Sequence, residues 1–164
     1  MSRTGQLILG VFMVFAVFDQ SARILSPPQV RVDLNGDGRL DLAVVDRKDG
    51  IVRVFLSGSD GRLVPNGNYR LAAIPWAIVA GDFDANGSFD LATADGPNGT
   101  VSVLLNRGDG NFQLPQSYHM RVLGSCSIEV IDSNADGKPD LVVSDIRGYR
   151  SVLVDRGDGT FSGG

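Results

Sequence analysis

Hydrophobic residues in this chain come in short bursts, each bounded by glycine, proline, asparagine or aspartate. In mid-chain the bursts run from Ile78 to Gly81, Leu91 to Ala94 and Thr100 to Leu105, with Phe112 to Tyr118 beyond them. Leu42 to Val45 and Ile51 to Leu56 follow the same plan earlier, and Leu141 to Ser144 and Ser151 to Val154 follow it later. Turn residues recur within about a dozen positions everywhere and no 3.6-residue period persists, so the pattern predicts short strands and an all-β chain.

The bursts are organised by an internal repeat. Asp33 to Asp41 (DLNGDGRLD), Asp82 to Asp90 (DFDANGSFD) and Asp132 to Asp140 (DSNADGKPD) begin 49 and then 50 residues apart. A second marker keeps step with them, in Gly61 of SDGRL, Gly110 of GDGNF and Gly159 of GDGTF. Four strands in a unit of this length are the signature of a propeller blade. The expected architecture is therefore a β-propeller-like array of three four-stranded blades, at about 26–73, 74–123 and 124–164. Closed propellers have about four to eight blades, so three units are either incomplete or closed by strand exchange or oligomerisation.

Each aspartate-rich loop places side-chain oxygen at its first, third, fifth and ninth positions, a spacing that lets a curled backbone aim alternate residues at one centre. Glycine at the sixth position (Gly38, Gly87, Gly137) permits the sharp turn, and the seventh residue (Arg39, Ser88, Lys138) would contribute its backbone carbonyl. All-oxygen ligands with three carboxylates per loop suit a hard cation that accepts six to eight ligands, which favours Ca²⁺. An EF-hand would carry a bidentate Glu at position twelve; Val44, Thr93 and Val143 stand there instead, so the loops join strands, not helices. Hairpin turns rich in Asp, Asn and Gly but without metal are the alternative for any single copy.

The loops, with the Gly-Asp-Gly-x-Phe turn that follows the Val101 to Leu105 strand, resemble FG-GAP/VCBS repeats, the blades also found in integrin alpha-subunit propellers. The resemblance runs from about residue 26 to 161. It implies Asp33, Asn35, Asp37 and Asp41, then Asp82, Asp84, Asn86 and Asp90, then Asp132, Asn134, Asp136 and Asp140 as side-chain ligands of about three calcium ions. It also implies a secreted or cell-surface protein that holds a protein or carbohydrate partner. The family's propellers commonly have about seven blades, more than are found here.

Composition narrows the function classes. A formal charge of −4 argues against a phosphate-backbone partner, which would need clustered Lys and Arg. Cys126 is the single cysteine, which excludes an internal disulfide and a zinc cluster and reads as a small buried strand residue. At the N-terminus Arg3 precedes an apolar run from Leu7 to Phe18, so residues 1–18 read as a signal peptide or an apolar N-terminal segment, too short to span a bilayer comfortably.

The third unit stops at Phe161-Ser162-Gly163-Gly164, short of the outer strand that the second unit continues into. The expectation is a missing last strand, supplied by Phe18 to Leu25 of the same chain or of a neighbour, with a homo-oligomer through open blade edges as one outcome; otherwise the chain is a fragment of a longer propeller. The Arg-Gly-Asp tripeptides at 107–109 and 156–158 fall on the turn marker and read as turn chemistry. His119, the one histidine, has no nucleophile nearby and reads as a surface residue. Tyr69 and Tyr118 share the repeat and read as packing residues, although with Trp76 they offer surfaces on which a sugar ring could stack. Asp46, Asp95 and Asp145 end a strand in each unit and are expected to cap the following turn. The function expected from all this is a noncatalytic, calcium-binding interaction or adhesion module, with a lectin-like propeller as the alternative; metal-filled carboxylate clusters leave little room for an enzyme.

Overall fold

The computed structural model describes residues 27–96, 99–122 and 124–164. They form three antiparallel sheets of four strands each. The first sheet holds β1 (Gln29–Val32), β2 (Asp41–Asp46), β3 (Ile51–Ser57) and β4 (Leu63–Arg70); the second holds β5 (Ala77–Gly81), β6 (Asp90–Asp95), β7 (Thr100–Leu104) and β8 (Gln116–His119). The third holds β9 (Ser125–Ile131), β10 (Asp140–Asp145), β11 (Arg150–Asp155) and β12 (Phe161–Gly163). Strands pair in chain order within every sheet, the meander of a propeller blade. Among the described residues no helix is long and apolar enough to cross a membrane.

Why the second strand of each unit reads as an apolar run becomes clear from its position. β6 is buried at every residue, because it lies mid-sheet and its sheet is packed on both faces. One face, with Ile78, Leu91 and Leu104, joins Val30, Val45, Val52 and Val54 of the first blade in one core. The other, with Val79, Ala92 and Val101, joins Ile128, Leu141, Val143 and Leu153 of the third blade in a second core. Stability thus comes from interfaces between blades, as in other repeat proteins.

The turn marker fastens neighbouring blades. Tyr69 of the first blade packs edge-on against Phe112 of the second, ring centroids 5.3 Å apart, and Tyr118 packs likewise on Phe161 at 5.5 Å. The Tyr69 hydroxyl also accepts the Phe112 N–H at 3.0 Å. Gly159 donates its N–H to the Phe83 carbonyl at 2.9 Å, and a Cβ there would fall 2.5 Å from Leu105 Cδ1. Glycine is required at that point by both its φ of 78° and the closeness of the second blade.

One expectation changes here. The third unit has its fourth strand: β12 pairs Phe161 with Asp155 and Gly163 with Leu153, although it is shorter than β4. The segments read as a signal (1–18) and as a strand donor (18–25) lie outside the described residues. Cys126 falls within β9, as the strand reading required.

Candidate metal centres

The three aspartate loops occupy equivalent places, each joining the first strand of a blade to its second. The first residue of each loop is a carboxylate ringed by backbone N–H groups. Asp33 accepts from Gly36 (2.8 Å), Asp37 (3.2 Å) and Gly38 (2.7 Å). Asp82 accepts from Asn86 (3.1 Å) and Gly87 (2.9 Å), and Asp132 from Asp136 (3.1 Å) and Gly137 (2.9 Å). Position three caps position five in all three loops, through Asn35 to Asp37, Asp84 to Asn86 and Asn134 to Asp136. The backbone is curled tightly enough that Ala85 and Ala135 take φ of 57° and 62°, a conformation that costs about 1 kcal/mol or more outside glycine.

The ninth residue behaves differently. Asp41, Asp90 and Asp140 are fully buried. Each receives one N–H from loop position two and another from the end of the third strand. For Asp90 these are Phe83 (2.8 Å) and Asn106 (2.7 Å); for Asp41, Leu34 (2.8 Å) and Ser57 (2.7 Å); for Asp140, Ser133 (3.0 Å) and Asp155 (2.8 Å). The aspartate is therefore a clamp between loop and sheet as well as a candidate ligand; each oxygen keeps a lone pair for a cation except Oδ2 of Asp140, which accepts the Ser133 hydroxyl as well as its N–H.

In the second loop Asp82, Asp84 and Asp90 bring one carboxylate oxygen each within 4.8 Å of one another. Ligands at the 2.3–2.6 Å typical of calcium stand at most about 4.6–5.2 Å apart across the ion, so the group fits Ca²⁺. Burial pushes Asp90 up to about 7, and the charges of Asp84 and Asp82 push the same way, against the bonds from Asn106 and Phe83. Clustered carboxylates that resist ionisation together are what a divalent cation relieves. Asp82, Asp84, Asn86 and Asp90, with the Ser88 carbonyl, would hold it, and its charge would tie loop to blade.

The first and third loops differ from the second: they carry Asn35 and Asp37, and Asn134 and Asp136, where loop two has Asp84 and Asn86, and among the described residues only loop two gathers three carboxylates at one point. Arg39 Nη2 lies 3.4 Å from Asp37 Oδ2, and Lys138 Nζ lies 3.9 Å from Asp136 Oδ2. A cation at position seven thus faces the fifth-position carboxylate, whereas loop two has Ser88 there. Electrostatics rank loop two as the strongest of the three.

Loops two and three flank a cleft of about 650 Å³. Phe89, Val130, Ile131 and Pro139 line it, and Asp82, Asp132, Lys138 and Asp155 add polar groups. Asp155 is 2% exposed; its Oδ1 accepts the Gly157 N–H at 2.7 Å, while Oδ2 is buried without a hydrogen-bond partner. Its equivalent in the second blade, Asn106, donates Nδ2 to the carbonyls of Leu34 (2.8 Å) and Phe89 (2.9 Å). Blade three thus presents an acceptor where blade two presents a donor, and neither residue stands out in the sequence.

The recurring aspartates after the second strand divide. Asp46 and Asp145 cap the next turn, through Lys48 and Asp49 N–H to one and Arg147 and Tyr149 N–H to the other. Asp95 does not: it is buried and accepts the hydroxyls of Thr93 (2.7 Å) and Ser102. Burial raises it to about 6, against these two bonds. Raised above its unfolded value near 3.9, the carboxylate costs nothing below about pH 4 and costs increasingly as pH rises through 6, to about 3 kcal/mol. Asp95→Asn is expected to match the parent near pH 4 and to exceed it by about 2–3 kcal/mol near pH 7.5, read by urea denaturation at both pH values.

Of the other singled-out residues, His119 is an exposed residue closing β8. Trp76 is 41% exposed, with Arg47 stacked 4.7 Å from its ring. Asp109 and Asp158 accept the N–H of Asn111 and Thr160, both at 3.0 Å, as turn residues do.

Comparison with known proteins agrees with this geometry. No curated protein matches the chain. Among solved structures, a lectin of Agrocybe aegerita, described by its specific recognition of non-reducing terminal N-acetylglucosamine, superposes with a TM-score of 0.53 at 24% identity. The match covers 82% of this chain and 36% of the lectin, so the present chain spans about a third of that neighbour, and the likeness concerns the fold. The FG-GAP-like repeat model matches twice, over residues 33–93 and 82–143, each match taking in two successive aspartate loops. The chain belongs to the FG-GAP-like repeat family.

Proposed function

We propose that this chain is a noncatalytic binding module of an exported protein, secreted or at the cell surface, in which calcium in the three loops braces the blades and the cleft between loops two and three receives the ligand. The observation that carries the reading is the convergence of Asp82, Asp84 and Asp90 on one point at the rim of that cleft. Calcium there would fix both walls, which couples ligand binding to metal. The carboxylates of the loops are engaged by backbone N–H groups and, at Asp37 and Asp136, by the amides of Asn35 and Asn134, an arrangement suited to holding an ion and not to moving protons. An extracellular setting would supply the ion, since extracellular modules bind calcium at about 0.1–1 mM.

The ligand is a protein or a carbohydrate. Two observations favour the carbohydrate: the lectin neighbour, and a cleft that combines apolar walls with polar groups of Asp82, Asp132 and Lys138 at its lining. Binding of glycans ending in N-acetylglucosamine is expected in millimolar calcium, to be lost on chelation and on filling the cleft with Val130→Arg. Glycan binding indifferent to both changes would contradict the site, and binding of proteins alone would move the ligand class.

A further inference from the structure

The register of the sheets equates positions between blades and so shows what the end blades carry where the inner interfaces are made. Each blade turns one face toward its successor. In the first blade that face includes Val30, Leu34, Val45 and Val52, all buried against the second blade. The equivalent residues of the second blade, Val79, Phe83, Ala94 and Val101, are buried against the third. In the third blade the same four positions hold Glu129, Ser133, Ser144 and Arg150. Glu129 and Arg150 meet in an ion pair of 2.8 Å, their side chains 39% and 54% exposed.

The opposite end repeats the theme. The faces that blades two and three turn toward their predecessors carry Ile78, Ala80 and Ser102, and Ile128, Val130 and Ser151. The first blade has Gln29, Arg31 and Arg53 at these positions. Gln29 and Arg31 are exposed, and Arg53 pairs with Asp46 and Asp49, each at 2.8 Å. Seven equivalent positions therefore change from apolar or hydroxyl residues to polar or charged ones, all on the two end faces.

We propose that these residues are caps, which disfavour stacking of a second copy of this chain on either end face and keep the three-blade chain monomeric. Stacking would strip water from these three ion pairs, whose attraction does not repay that loss in a poorly fitted interface, and would forfeit the valine contacts of the inner interfaces. Repeat arrays need such polar terminal faces for solubility. Val142 at one end and Leu42 at the other are buried beneath these polar groups, with Val152 and Phe55 half-buried beside them, and form an apolar floor that would be uncovered once the charges go. The proposal opposes the expected association through open edges, and it is independent of the calcium and ligand readings.

The test is sedimentation of the full chain in millimolar calcium. The parent is expected to remain a monomer up to high micromolar concentration. Glu129→Val with Arg150→Val and Arg53→Ser restores inner-blade residues at both ends and is expected to associate head to tail, about 100-fold more tightly than the parent. The charge-swapped Glu129→Arg with Arg150→Glu should stay monomeric. Should the triple variant fold poorly, mixing the Val/Val variant with the Arg53→Ser variant is expected to give a one-to-one complex that neither half-variant forms with the parent's capped faces. A parent that dimerises, or a natively folded triple variant that stays monomeric, would overturn the proposal.

Discussion

Asp90→Ala is expected to destabilise the protein by about 3–5 kcal/mol in millimolar calcium, a large part of a total stability of about 5–15 kcal/mol. The carboxylate is fully buried and satisfies the N–H groups of Phe83 and Asn106. Its removal leaves two buried donors unpaired, at about 1–3 kcal/mol each, and takes a ligand from the strongest loop. In chelator the loss should shrink to about 1–3 kcal/mol, because burial and the neighbouring aspartates already hold this group up to about 7 and its removal relieves that penalty. Asp84→Ala provides the contrast: Asp84 is only partly buried and its hydrogen bond to the Asn86 N–H stays within the loop, so its loss is expected to matter in calcium and hardly at all in chelator. Thermal and urea unfolding of both variants in the two conditions separates clamp from ligand. Equal losses for the two variants in chelator would refute the clamp.

Removing calcium from the parent should have the second largest effect. At about 0.1–1 mM affinity and about 1 mM free ion, three sites contribute roughly 1–4 kcal/mol together. The loss should be felt between blades, because the loop carries interface residues with it. Leu34 and Phe83, at the second loop position, are buried in the two inter-blade cores, and the third position of each loop sits one residue away. Metal binding and blade packing are thus joined through a single turn of chain.

That second position separates what is legible in the sequence from what is not. The loops and strands can be read because ligand spacing and apolar bursts are local patterns, repeated three times. The burial of Leu34 and Phe83 is not legible: the third copy has Ser133, so the position looks free to vary, when it is apolar in the two blades on which a next described blade packs. The same cause hides the end-face residues, whose meaning depends on which blade lies opposite. Asp95 departs from the expected turn cap, although Asp46 and Asp145 fulfil it, because its hydroxyl partners Thr93 and Ser102 exist only in the middle blade as a buried set. Asp155 is inconspicuous because the Asn106 to Asp155 difference looks conservative, whereas it exchanges a donor for an acceptor in a buried place. Tyr69 and Tyr118 are legible as packing residues from their shared period, and their partners are the phenylalanines of the next blade's turn marker.

Calcium titration by calorimetry, with melting followed in parallel, tests the central claim most directly. Binding of three ions per chain, tightest at loop two, together with a melting temperature that falls on chelation, is the predicted result. A chain that takes up no calcium and melts identically in chelator would contradict it.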